Sequence, residues 1–589
     1  MTHRYEEEKL ETKRPNIKIV MRLSKYILNH KAVFIFNIVI SIIAVIPAII
    51  EPHIIKICID KYILPGEMQG ILIISLLFLA NKFFGWVLTM FEAIRTTRLG
   101  QRVLNDIRME VFKHAQKLSM DYFDTTPQGR IIARADTDID TMEHVMTWGA
   151  GIFLNSFLTL IGALYFMAKY NPKLCLLVSV VLPLLFIATY IFQKEGVKAY
   201  RKLRESATRI TANLAENISG VKVVQSFVRE DKNLSHFRQL TTDHAKNSVN
   251  SARVWSTYFP FIGIVNALGI VIIIFYGGNL VYQGQLKIGE LSAYIIYLGM
   301  FFEPIQTMGE LYNNLLATGT AAERIFQLLD VTPRIVDKPK AQDLTINGRV
   351  RFENVHFHYR ENKWILKNIN FQANPGQTIA LVGPTGAGKT TVVNLIARFY
   401  DPQQGSIYID DKPIDNITLY SLRSQMGIVP QDSFLFSGTV IENLKYGIEN
   451  ITDDEAIKAS KEIGLHPFIE KLSKGYQTQV KERGAGISEG ERQLICITRA
   501  YISNPRILIF DEATSSIDTQ TEVNIQNALD KLLKGRTCFV IAQRLSTIRK
   551  ADIVMVVSDG EIIEKGTHSE LLNLSGFYSR MYKEFVFNQ

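Results

Sequence analysis

The chain has 589 residues, 47% hydrophobic and 21% charged, and carries a net charge of +9. That length exceeds one ordinary core, and that balance excludes a disordered chain. Its 4 cysteines are scattered and form no CxxC pair, which excludes a disulfide framework and a structural zinc site.

Much of the positive charge flanks long apolar runs. This suits an anionic membrane face rather than nucleic acid, and no nucleic-acid partner is expected. Residues 1–31 are charged and hold no cleavable small-residue site, so they read as a cytoplasmic segment of an uncleaved membrane protein. Residues 32–50 follow without a charge, enough helix for about 28 Å, one hydrocarbon thickness. Similar runs occupy 151–168, 174–192 and 254–286, and two weaker ones cover 71–91, with Lys82 inside, and the stretch from Leu291 to Glu303.

Loop charge places the weaker pair. The first 31 residues hold eight Lys/Arg, 92–148 eight and 193–253 twelve, whereas 51–70 and 169–173 hold two each. Six crossings with a cytoplasmic N-terminus fit that alternation, and a multi-pass location in the inner, cytoplasmic membrane follows. The inner stretches 95–118 and 198–218 mix helix-forming charged residues with spaced apolar ones, so they read as membrane helices that continue into the cytoplasm and reverse near Gly129 and Gly220.

Lys82, Glu92, Glu303 and Glu310 lie within or near apolar segments. Intramembrane charge is costly and marks function by default, although Glu92 and Glu310 suit helix ends and Lys82 can snorkel. Lys82 and Glu303 are the candidates to line a substrate path.

The transmembrane domain is thus expected over 32–325, a linker over 326–348 with mixed charge, Pro and Gly, and a soluble α/β domain over 349–589. In that last domain TIALVG (378–383) reads as a buried strand, GPTGAGKT (383–390) as a loop and TVVNLIARFY (391–400) as a helix. The pattern G-x-x-x-x-G-K-T in this setting is a phosphate-binding loop. In the loop Gly383, Pro384, Thr385, Gly386, Ala387 and Gly388, every residue except the proline has a backbone N–H to offer to phosphates, Lys389 reaches the β and γ oxygens, Thr390 offers a hydroxyl to Mg²⁺, and Thr391 continues the helix start. RILIF (506–510) is a second buried strand, ending in Asp511, placed for Mg²⁺ directly or through water, and Glu512, placed to polarise an attacking water.

Together, VHFHY (355–359), GPTGAGKT, VPQD (429–432), ISEGERQ (487–493), ILIFDEATSSID (507–518) and IAQRLST (541–547) resemble a half-transporter of the ATP-binding cassette exporter family. The resemblance runs from about residue 20 to the end. It implies six membrane helices fused to an α/β P-loop ATPase with a helical subdomain, and ATP with Mg²⁺ as cofactors. It also implies that Tyr359 stacks on adenine, that Gln431 approaches Mg²⁺ and the attacking water, and that Ser488 and Gly490 contact the γ-phosphate held by the opposite subunit. Asp518 belongs at the dimer boundary, and coupling helices are expected near 122–130 and 213–221, the second reaching the partner's nucleotide domain.

Two departures stand out. The family's signature Leu-Ser-Gly-Gly-Gln reads Ile487-Ser488-Glu489-Gly490-Glu491, which adds charge near a polyanion unless those side chains point away. The switch histidine is Gln543, which can donate a hydrogen bond but stays neutral, so hydrolysis should slow more than ATP binding weakens. Gln543 resembles the altered site of heterodimeric exporters, yet the catalytic carboxylate Glu512 is retained. A homodimer is favoured over a pair with a second, different half-transporter. The expected activity is ATP hydrolysis driving export or flipping of an amphipathic substrate, whether lipid, drug or peptide, among membrane lipids. An ATP-gated channel is the distant alternative.

Overall fold

The computed structural model describes residues 17–587, apart from 362, 449, 482–483, 513–518 and 543. Contacts divide the chain into two units: Met1–Gln116 with Gly129–Val331, and Lys117–Gln128 with Thr332–Gln589.

The first unit is helical. Among the described residues six helices are long and apolar enough to cross a bilayer: Lys31–Ile63, Met68–Lys117, Gln128–Tyr170, Pro172–Ser219, Glu230–Tyr282 and Ile288–Leu329. Both weak apolar runs belong to this set. The second helix has 50 residues, about 75 Å of rise and more than twice the hydrocarbon thickness. The charged inner stretches therefore continue membrane helices, as their composition requires.

The second reversal begins at Gly220, as expected, but the first sits elsewhere than Gly129 suggested. Gly129 lies inside the helix Gln128–Ala135. The first turn falls instead around Ser119 and at Thr126-Pro127, with the short helix Met120–Thr125 between them; proline forces the residue before it out of helical geometry. The fourth membrane helix, interrupted at Val180, ends at Ser219 with Gly220 as its cap, and Val221–Ser226 forms the second short helix beyond it. The two short helices thus overlap the expected coupling windows only in part.

Charges in the membrane half also depart from expectation. Glu92 and Glu310 lie within helices, not at their ends. Glu92 is buried, whereas Glu303 and Glu310 are exposed. Lys82 pairs with Glu51 at 2.5 Å, which compensates its charge locally. Packing is anchored by Tyr294 and Tyr297, both fully buried; their hydroxyls donate to the Asn171 carbonyl at 2.6 Å and the Ile49 carbonyl at 2.9 Å, as buried tyrosines must.

The second unit contains β1 (Val350–Phe357), β2 (Leu366–Ala373), β3 (Thr378–Val382), β4 (Gln404–Ile409), β5 (Lys412–Pro413), β6 (Met426–Val429), β7 (Gly438–Thr439), β8 (Gln479–Val480), β9 (Ile507–Asp511), β10 (Thr537–Ile541), β11 (Ile553–Ser558) and β12 (Glu561–Gly566). One sheet has the order β2-β1-β4-β5 and is antiparallel. The main sheet has the order β12-β11-β3-β10-β9-β6, parallel except for edge strand β12. Strands β3, β9 and β10 are apolar along most of their length because cores cover both sheet faces. The segment read as a linker divides: it completes the last helix to Leu329, and beyond residue 331 it packs on this unit. There Ile346 is buried and its N–H donates to Gln425 Oε1 at 2.9 Å.

Candidate functional site

In a parallel sheet, ligands gather beyond the carboxyl ends of the strands. Here β3 runs into residues 383–388, β9 ends at Asp511 and Glu512, and β6 is followed by Pro430 and Gln431, while β10 lies between β3 and β9. Strand order thus carries residues more than a hundred positions apart in sequence to one rim.

Glycine is required in the loop at two points by steric contact. Gly383 has φ +143°, and a Cβ there would lie 2.0 Å from the Val557 carbonyl oxygen. Gly388, at φ +107°, caps the helix Lys389–Ile396, and a Cβ on it would meet Leu366 at 2.6 Å. The loop arches with Pro384, Thr385 and Gly386 exposed, Ala387 buried beneath, Thr390 exposed at the helix start and Thr391 buried behind it. Lys389 Nζ donates to the Gly383 carbonyl at 2.8 Å and the Pro384 carbonyl at 2.9 Å, which holds the ammonium against the loop. Burial pushes the lysine below its ordinary range while Asp511 pulls it back up. Burial likewise pushes Asp511 up, against the pull of Lys389. An ammonium and a carboxylate share a partly dry rim, a setting that favours a polyanion bridged to a cation.

Glu512 is only 2% exposed. The Arg544 backbone N–H donates to Oε2 at 3.1 Å, and the Thr547 hydroxyl donates to Oε1 at 3.2 Å. Arg544 Nε lies 3.3 Å from Oε1, while the other end of its guanidinium pairs with Glu522 at 3.2 Å. Gln543 and Asp518 lie outside the described residues. Gln431 is exposed at the rim.

Tyr359, 45% exposed, stands edge-to-face against Phe357 at 4.8 Å and Tyr400 at 5.1 Å. Its hydroxyl donates to Thr391 Oγ1 at 3.2 Å. The ring is braced at its edges and offers a face to a flat base. Ser488 caps the helix Glu489–Ile502, with Gly490 buried in its first turn. Glu491 accepts the Ser488 N–H at 2.9 Å, so one of the two added acids is occupied in a capping box.

A model of the ABC transporter transmembrane region matches residues 34–305, and one of the ABC transporter ATP-binding unit, described as "ABC transporter", matches 366–515. The Bacillus subtilis (strain 168) protein "Uncharacterized ABC transporter ATP-binding protein YknV" is 39% identical over 536 residues, 90% of this chain and 89% of the relative. The chain belongs to the ABC transporter family. This transporter is also 34% identical to the "ATP-dependent lipid A-core flippase" of Desulfotalea psychrophila (strain LSv54 / DSM 12343), over 96% of this chain and 99% of the relative. Among solved structures, a bacterial Atm1-family ABC exporter with ATP bound matches with a TM-score of 0.77 and 28% identity, covering 94% of this chain and 98% of the other.

The transporter is therefore an ATP hydrolase coupled to transport, multi-pass in the cytoplasmic membrane, with its nucleotide unit on the cytoplasmic side. Sequence reasoning missed three participants. Arg544 and Thr547 were quoted within IAQRLST without a role; their spacing, one residue before a helix and one turn into it, was the available signal. Tyr400 carried no signal of its own. Its contacts with Tyr359 and with the hydroxyl-accepting Asp124 appear only in the fold.

Proposed function

We propose that two copies of this chain export or flip a lipid-like amphiphile, each ATP lying between the phosphate loop of one copy and Ser488 and Gly490 of the other. The observation that carries this reading is Glu512, buried at the end of β9 and held by Arg544 and Thr547. A carboxylate so held polarises a water for attack on the γ-phosphate, and phosphoryl transfer depends mainly on such positioning. Lys389 and the loop N–H groups hold the β and γ oxygens. Thr390, Gln431 and Asp511 supply the oxygen donors that suit Mg²⁺, which when bound neutralises phosphate charge. ATP closes the two copies together, and hydrolysis removes the bridge, so the ligand biases two states of the membrane helices. The lipid-like cargo rests on the similarity to a protein named as a lipid A-core flippase and on the exporter fold.

A second reading, pairing with a different half-transporter, is favoured by glutamine at 543. One experiment separates the two. Mg·ATP hydrolysis is measured for the purified chain alone in lipid nanodiscs, with Glu512→Gln as background. Hydrolysis well above that background is expected for a working homodimer. ATP binding without hydrolysis would exclude the homodimer and point to a missing partner.

A further inference from the structure

We propose that a ladder of three arginines on the second membrane helix docks the headgroup of an anionic phospholipid from the cytoplasmic leaflet. Arg95, Arg98 and Arg102 stand at i, i+3 and i+7, so they share one face of the helix Met68–Lys117. Arg98 and Arg102 are exposed and Arg95 is half-buried, while the adjoining stripe of Leu99, Val103 and Ile107 is buried. Loop charge puts this end of the helix on the cytoplasmic side, and Arg95 is the first basic residue past the apolar run 71–91. From Arg95 to Arg102 the helix rises about 10 Å, and a headgroup layer is about 5–7 Å deep. Arg95 and Arg98 therefore stand at headgroup level, with Arg102 at its cytoplasmic edge.

Carboxylates do not take up these charges. Among the described residues no acid forms an ion pair with any of the three, whereas Arg108 on the same helix pairs with Asp140 at 3.0 Å. The acids nearest along the helix are engaged elsewhere. Glu92 accepts from Ser41 Oγ at 2.5 Å and from Asn155 Nδ2 at 3.3 Å. Asp106 meets His30 Nε2 at 2.8 Å, and Glu110 accepts the Tyr26 hydroxyl at 2.7 Å. Arg95 Nε is buried without a hydrogen-bond partner. Its guanidinium lies over the rings of Phe36 at 4.8 Å and Phe91 at 5.8 Å, which hold the fork in place. A fork held in this way suits two oxygens of one phosphate, a match that a lysine does not give.

The face above the arginines decides the occupant. Leu77, Phe84 and Phe91 continue the same stripe at steps of seven residues, and each is about half exposed. Ile35, Phe36 and Ile94 are exposed around Arg95. Apolar side chains thus give way to arginines within about one turn, at the depth where acyl chains give way to phosphate. A soluble anion matches only the basic part of this face. A lipid with its chain along Phe84 and Phe91 and its phosphate on the arginines matches both parts, and basic side chains just inside the cytoplasmic boundary attract anionic headgroups. The inference depends on where the helix sits in the membrane and not on the exported cargo.

The test is native mass spectrometry of the full chain in detergent, offered equal amounts of phosphatidylglycerol and phosphatidylcholine. No nucleotide is added, so the result is separate from any failure of the exporter reading. Wild type should retain phosphatidylglycerol about tenfold more tightly, since each basic side chain at a headgroup is worth about fivefold. Arg95→Gln with Arg98→Gln should bring the two lipids close to parity. Lys232→Gln with Arg238→Gln removes the same charge from the exposed cytoplasmic stretch and should keep the preference. ATP binding, measured separately, confirms that both double variants fold. Equal retention of the two lipids by wild type overturns the proposal and leaves this face to a second copy of the chain. A preference that survives Arg95→Gln with Arg98→Gln, or that falls as far in Lys232→Gln with Arg238→Gln, overturns it as well.

Discussion

The carboxylate proposed to polarise the attacking water does not act alone. Glu512 is adjacent in sequence to Asp511, yet the two meet different surroundings: Asp511 faces Lys389, while Glu512 turns into the protein toward Arg544 and Thr547. Arg544 joins Glu512 to Glu522, so it is a positioning residue for the carboxylate. Arg544→Ala should lower kcat about tenfold to a hundredfold, the range expected when a catalytic group loses its orientation, with the affinity for ATP unchanged. A KM-against-kcat comparison reads this out, because a merely structural loss would weaken both. The loop proposed to hold phosphate was legible from sequence, since such a loop uses local chain only. Their supports were not, because Arg544 reaches Glu512 only after β10 has been laid beside β9.

At the scale of elements, short helices carry their own start signals. Thr439 opens the helix Val440–Lys445 with a capping box: its N–H donates to Glu442 at 2.7 Å and its hydroxyl accepts from the Glu442 N–H at 3.2 Å. Those bonds hold the Glu442 carboxyl below its ordinary range. A depressed carboxyl contributes stability that is present above its unfolded pKa and lost as pH falls through the folded one. The cap should therefore be indifferent to pH between about 5 and 8 and fail only in acid. Thr439→Ala should cost about 1 kcal/mol in the unfolding of the C-terminal unit, followed in the full chain at pH 7.

The helix Met120–Thr125 belongs to that same unit. Tyr400 donates its hydroxyl to Asp124, Arg334 pairs with Asp121 at 3.1 Å, and Ser119 Oγ accepts the Ile335 N–H at 2.9 Å. Burial and the Asp124 carboxylate both push the Tyr400 phenol upward. Since Tyr400 also braces Tyr359, the ring proposed to stack on the base and the proposed coupling segment share one neighbour. Tyr400→Phe keeps the brace and removes the bond to Asp124. It should leave ATP affinity unchanged and reduce the stimulation of hydrolysis by transported amphiphile, measured in nanodiscs. A short helix here was legible from family resemblance, but its residue range was not, because Ser119 and Pro127 rather than Gly129 set its ends.

At the scale of the whole molecule, six spans were legible because loop charge compensated for the weak hydropathy of two of them. What hydropathy does not report is which surface needs a second chain. The helices Val181–Ser219 and Glu230–Ile272 pack chiefly on each other. Their joined tip leaves Ile218 69%, Phe227 71% and Val228 81% exposed. The charged stretch 193–253 puts this tip on the cytoplasmic side, beyond reach of lipid, and apolar patches in water mark interaction sites. The occupant that fits the proposed dimer is the nucleotide unit of the other copy. Phe227→Asp should then leave ATP binding intact, because it alters no residue of the phosphate loop. It should cut hydrolysis about tenfold in the assembly that hydrolyses ATP, since a charge in an apolar interface opposes closure. Hydrolysis at the wild-type rate would remove this tip from the coupling path and leave the contact made by Met120–Thr125 to carry it.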